Sequence, residues 1–96
     1  MRIEIDHEFC LPVVHVGGRV HEGNFGVLDQ TLAKVSAEGH QMVALDLSEV
    51  REMGQSEAQG LLQVRQRMSR GFQRLTLIGL SPSSIEALSK AASSTD

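Results

Sequence analysis

Apolar and polar residues alternate from the start of the chain. Ile3, Ile5, His7 and Phe9 take turns with Glu4, Asp6 and Glu8. A period of two marks a half-buried strand over 3–9, with its acids on the water side, where they oppose edge-to-edge pairing. Pro12, whose missing N–H suits a strand start, leads into Val13-Val14-His15-Val16, a second strand that Gly17-Gly18 is expected to end. Phe25, Leu28, Leu32 and Val35 then recur at the spacing of one helical stripe. Asn24 is the expected N-cap of a helix over 24–38, and Gly39 its stop. The nearly continuous apolar run at 42–47 predicts a strand covered on both faces, as in a parallel sheet.

Ser56 is followed three residues later by Gln59 and then by Leu61-Leu62. This capping-box pattern predicts a helix over 56–70 that stops at Gly71, with Ser56 as N-cap bonded to the Gln59 N–H. Leu75-Thr76-Leu77-Ile78 reads as another buried strand, and Ser81-Pro82-Ser83-Ser84 opens a last helix carrying Ile85 and Leu88. Residues 93–96 are expected to be a frayed tail. The order β-β-α-β-α-β-α predicts one α/β layered domain over 1–92, a mixed sheet with helices packed on it. Leu45, Leu61 and Leu77 are its expected core.

Composition narrows the function. Aromatics are 3% of the chain, all of them Phe, so stacking platforms for single-stranded nucleic acid are missing. A net charge of −3 also argues against a nucleic-acid partner. The single Cys10 cannot form an internal disulfide, and no signal-like or membrane-spanning apolar run occurs, which together predict a cytoplasmic protein with no direct membrane insertion. Between Ala58 and Ile85 there is no acid but four arginines, Arg65, Arg67, Arg70 and Arg74. They form either a solvated helix face or a contact patch for an acidic partner. Arg65 falls within the apolar arc of Ala58, Leu61, Leu62 and Met68, where a charge must snorkel, pair or face a partner.

Candidate chemistry is sparse. The histidines at 7, 15, 21 and 40 show no metal-ligand spacing, and no glycine loop cradles a phosphate. No metal and no cofactor are expected. Gly54-Gln55-Ser56-Glu57-Ala58 misses the G-x-S-x-G nucleophile elbow by one residue. That elbow needs a sharp strand-to-helix turn, whereas residues 48–53 are expected to intervene here. A chain of 96 residues is also short for a hydrolase core, so no catalytic residue and no enzyme activity are expected.

Val43-Ala44-Leu45-Asp46-Leu47-Ser48-Glu49-Val50, a short link and a serine-capped helix together resemble the STAS domain of bacterial anti-sigma factor antagonists. Gly18-Arg19-Val20 is similar to the family's entry into its first helix, and Leu75-Thr76-Leu77-Ile78-Gly79-Leu80-Ser81-Pro82 to its "L.LVGLSP". The resemblance covers about residues 11–90. It implies transcription regulation by partner switching: an antagonist binds a serine-kinase anti-sigma factor, and phosphorylation of the first hydroxyl of a D-S-S-G motif breaks the contact. Without gaps that motif falls on Gly54-Gln55-Ser56-Glu57. The acceptor position holds Gln55, which cannot take phosphate, so the usual switch is expected to be missing while binding persists. Ser56 is at most a displaced phosphosite, and Glu57 beside it would repel a second negative group.

The implied function is a non-enzymatic protein-interaction module of bacterial regulation. Its expected contact residues are Arg19, His21, Asn24, Gly54, Gln55, Ser56, Glu57 and Arg65. Two other uses of the fold stay open, an accessory subunit of a lipid-transport ABC system and a small-ligand-binding module. A homodimer also stays open. The family usually continues past this third helix.

Overall fold

The computed structural model describes residues 1–8 and 11–93; Phe9, Cys10 and the expected tail positions 94–96 lie outside the described residues. The elements are β1 (Arg2–Glu8), β2 (Leu11–Val20), α1 (Glu22–Ala37), β3 (Met42–Met53), α2 (Gln55–Arg70), β4 (Arg74–Ile78) and α3 (Pro82–Ser93). The predicted order is therefore the observed one. Ser93, expected in the tail, is the last residue of α3.

The sheet has the order β1-β2-β3-β4. β1 runs antiparallel to β2, while β2, β3 and β4 are parallel. Alternate residues of the strands (Val14 and Val16; Val43, Leu45 and Leu47; Leu75) meet all three helices in one buried cluster. Leu28, Leu32 and Val35 enter it from α1, and Leu61, Val64 and Met68 from α2. One core means that the helices cover one face of the sheet, so β3 is not covered by helices on both faces as expected. Its other face is lined by the small Ala44 and by Asp46. β4 is an edge strand: Leu75 is fully buried, but Leu77 is only partly so and Ile78 is 40% exposed.

The largest departure lies in β2 and β3. Gly17-Gly18 does not end β2, which runs on to Val20, and β3 continues six residues past the expected end at Leu47. The register shifts between His15 and Gly17 and again between Gly18 and Arg19, where β3 supplies extra residues. These bulges change the inward positions of β3 from every second to every third residue, Leu47, Val50 and Met53. A period of three does not read as strand, which is why residues 48–53 looked like a link. Asp46 supports the first bulge, its Oδ1 accepting the Ser48 N–H at 3.0 Å.

Candidate functional site

The extended β2 and β3 end together, Val20 facing Met53 in parallel register, and a helix follows each at once. The starts of α1 and α2 therefore lie side by side at the carboxyl end of the parallel strands. The Gly54 N–H donates to the Val20 carbonyl at 3.2 Å and ties the two corners. Just before them, Arg19 Nε lies 3.4 Å from Glu52 Oε2. Aligned N–H groups at two neighbouring helix starts give this edge a positive backbone potential, which at the start of α2 is answered by the carboxylate of Glu57.

Each corner is built differently from its prediction. His21, not Asn24, is the N-cap of α1: its Nδ1 accepts the Gly23 N–H at 3.1 Å. Asn24 occupies the third helical position, where its Oδ1 accepts the His21 N–H at 3.0 Å and its Nδ2 donates to the Arg19 carbonyl at 2.9 Å. Both residues thus shape the corner, with the roles exchanged. At α2 the N-cap is Gly54, which contributes no side chain. Ser56 is the second helical residue and exposed, so the expected cap bond to Gln59 is not made. Glu57 supplies the acidic group instead. It is 5% exposed, and its carboxylate lies in the space that a side chain on Gly54 would fill. Gln55 points elsewhere, its Nε2 donating to the Ala87 carbonyl of α3 at 3.3 Å.

Seven of the eight expected contact residues share this edge. Arg65 does not: it lies about 16 Å along the helix axis from Gly54. The buried position of α2 in that turn is Val64, and Arg65 is exposed on the rim of a groove with Leu62, Phe72, Leu77, Leu80 and Leu88. It snorkels. Of the arginine run, Arg67 pairs with Asp29 of α1 at 3.1 Å.

The compact Met53-Gly54-Gln55 corner overturns one expectation, since strand and helix are joined by a sharp turn after all. Ser56 makes no hydrogen bond to a histidine or a carboxylate among the described residues.

Two groupings went unnoticed in the sequence. On the open face of the sheet, His15 bridges two acids, with Nδ1 at 2.8 Å from Asp46 Oδ2 and Nε2 at 3.1 Å from Asp6 Oδ2. The hydrogen bond to Asp46 raises the His15 pKa above its ordinary 6.5, against the opposing effect of burial. Burial pushes the Asp46 carboxyl up, but hydrogen bonds from Ser48 and His15 outweigh it and hold the group below 3.8. At the far end of the sheet, His7, Glu38 and His40 bring their ligand atoms within 4.8 Å of one another. Each grouping needs one partner more than 30 positions away, Asp46 for His15 and His7 for the Glu38–His40 pair, which no local spacing announces.

A four-stranded mixed sheet with three helices on one face and two helix starts at its edge is the architecture of a STAS domain. The chain belongs to that family: the family model described as "Mlab, STAS domain" matches residues 3–93. Among solved structures it is similar to an anti-sigma factor antagonist from Mycobacterium paratuberculosis, with 16% identity and a TM-score of 0.78, covering 95% of this chain and 77% of that one. The anti-sigma factor antagonist SpoIIAA in its unphosphorylated form is similar at 12% identity and a TM-score of 0.77, covering 95% and 81%. Mglu shares the fold at 14% identity and a TM-score of 0.71 over 82% of this chain, which spans only 20% of Mglu. No curated protein sequence matches the chain. Among the described residues, no helix is long and apolar enough to cross a membrane.

Proposed function

We propose that this chain is a stoichiometric protein-interaction module of bacterial regulation, acting in the cytoplasm without a cofactor. Its working surface is the pair of helix starts. The observation that carries this reading is the Val20–Met53 register, which makes 19–24 and 54–57 one continuous edge. The favoured partner is a serine-kinase anti-sigma factor or a related regulator, a choice supported by the similarity to the two antagonists. Gln55 stands where the family's phosphoacceptor stands, and its amide is engaged with Ala87. Binding on this reading runs without the usual switch. Ser56 is the remaining hydroxyl in the motif, and the buried Glu57 beside it opposes further negative charge.

Gln55 also favours a second reading, an accessory subunit of a lipid-transport ABC system, because such a subunit needs no phosphoserine. One capture experiment on native lysate separates the two. Wild type and a Glu4→Lys control on the open strand face should retain the same protein, and Ser56→Arg should lose it. A kinase in the retained band supports the first reading, and a transporter ATPase the second. Equal retention by Ser56→Arg removes the proposed surface.

A further inference from the structure

We propose that His7, Glu38 and His40 form a binding site for a divalent transition-metal ion of the Zn2+ class, at the opposite end of the sheet from the helix starts. Two ligands at ~2.0–2.1 Å from a tetrahedral Zn2+ lie about 3.4 Å apart. His40 Nε2 and Glu38 Oε1 stand 3.4 Å apart, so this pair already spans one edge of a coordination tetrahedron. His7 brings the third ligand from β1. The rings of His7 and His40 have centroids 6.1 Å apart with a 52° tilt, and all three ligand atoms fall within 4.8 Å. Side-chain rotation is enough to draw the third corner in.

The fold builds this cluster deliberately from distant segments. Alternation along β1 places Ile3, Ile5 and His7 on its helix side, and His7 pairs in register with Pro12 near the start of β2. α1 runs back along the sheet and ends there with Glu38 as its C-cap. Gly39, at φ +86°, reverses the chain so that the side chains of Glu38 and His40 meet. The turn is held from outside, because Gln73 Nε2 donates to the carbonyls of Ser36 and His40, both at 2.8 Å.

Electrostatics points the same way. A carboxylate at a helix C-terminus meets the negative end of the macrodipole and favours a cation beside it. Lys34 in the last turn answers part of that field, and a divalent ion bonded to Glu38 answers it directly. Two imidazoles with one carboxylate select Zn2+, Co2+ or Ni2+ over Mg2+ and Ca2+, which prefer all-oxygen shells. Bound metal would clamp the edge strand β1 to the α1–β3 turn and stabilise the fold by mass action.

The test uses the full, tag-free chain stripped with a chelator and titrated with ZnCl2 by calorimetry. Expected are one ion per chain, a micromolar Kd, and visible bands of tetrahedral coordination when Co2+ is substituted. His7→Gln and His40→Ala should each weaken binding more than ~tenfold, while His21→Ala leaves it unchanged. Zn2+ at about 100 times Kd should raise Tm by about 10 °C in wild type and not in His40→Ala. Melting in EDTA shows that the variants are folded. Absence of saturable binding below millimolar Zn2+ overturns the site, as does binding that survives His40→Ala or vanishes in His21→Ala. The partner reading is untouched by either result.

Discussion

The carboxylate of Glu57 occupies the place of a side chain on Gly54: a Cβ built there falls onto Glu57 Oε2 and lies 3.0 Å from Cδ. The backbone of Gly54, at φ −70° and ψ 157°, would accept any residue, so the obstacle is Glu57 alone. The two positions act as a pair that keeps one acidic group at the helix start. Gly54→Ala should displace the carboxylate and cost about 1 kcal/mol of unfolding free energy. In a Glu57→Ala background the same change should cost clearly less, leaving only the preference of an N-cap for Gly over Ala. Urea denaturation of the four proteins measures the coupling, and strictly additive costs would contradict it.

The His15–Asp46 bridge makes stability depend on pH in a defined window. His15 has its folded pKa raised above 6.5, so its contribution is fully present below that value and is lost as pH rises through the folded pKa. Asp46 has its folded pKa lowered below 3.8, so its contribution is present above that value and is lost as pH falls through the folded pKa. The bridge is therefore strongest between those limits. Urea midpoints should fall as the pH rises above the ordinary 6.5 of histidine in wild type. His15→Asn should flatten that fall, and an unchanged slope would assign it to another group.

Core truncations should rank by burial. Leu45 and Leu61 are both 0% exposed, and changing either to Ala should cost about 2–5 kcal/mol. Leu77 on the edge strand is only partly buried, so its truncation should cost about 1–2 kcal/mol. Chemical denaturation checks the order. A Leu77→Ala cost equal to that of Leu45→Ala would mean that β4 is covered in solution.

Periodicity made most of this fold legible. The stripe of Leu28, Leu32 and Val35 and the stop at Gly71 both stand where their spacing puts them. The sequence reading failed where the period itself changes. Leu47, Val50 and Met53 point inward at every third residue because two bulges reset β3, and a reading built on alternation ends the strand too early. Caps were misplaced for a related reason. Asn24 and Ser56 are good capping types, but the first free N–H groups are fixed by where β2 and β3 end, and those ends had moved. The resemblance points to 54–57 because it is local. The pairing of 54–57 with 19–24 depends on the Val20–Met53 register, which only the sheet supplies.

Ser56 should now behave as an exposed second helical residue. Ser56→Ala is expected to change stability by less than ~0.5 kcal/mol, not by the ~1 kcal/mol that removal of an N-cap costs. Intact-mass measurement of protein from its native host should show no phosphate on this position. A stoichiometric phosphorylated species that disappears in Ser56→Ala would establish the displaced phosphosite.

On the proposed partner reading, the family's D-S-S-G can be built at 54–57, and the structure says how the parts must move together. Gly54→Asp alone puts two carboxylates into one space, so it needs Glu57→Gly beside it. Gln55→Ser supplies the acceptor and gives up the bond to the Ala87 carbonyl, at a cost of about 1 kcal/mol that leaves the fold intact. The triple variant then carries an acidic N-cap and a hydroxyl at the first helical position. If the partner is an active serine kinase, ATP should lead to phosphorylation of this variant and its release, while wild type stays bound. Phosphate adds nearly two negative charges to a contact edge that Arg19 alone does not neutralise, since its partner is already Glu52. Each 1.4 kcal/mol is tenfold in affinity, so release should exceed ~tenfold by calorimetry. Gln55→Ser alone and the triple variant without ATP are the controls. A proven kinase partner that holds the triple variant equally with and without ATP would overturn the proposal that Gln55 stands in place of a phosphoacceptor.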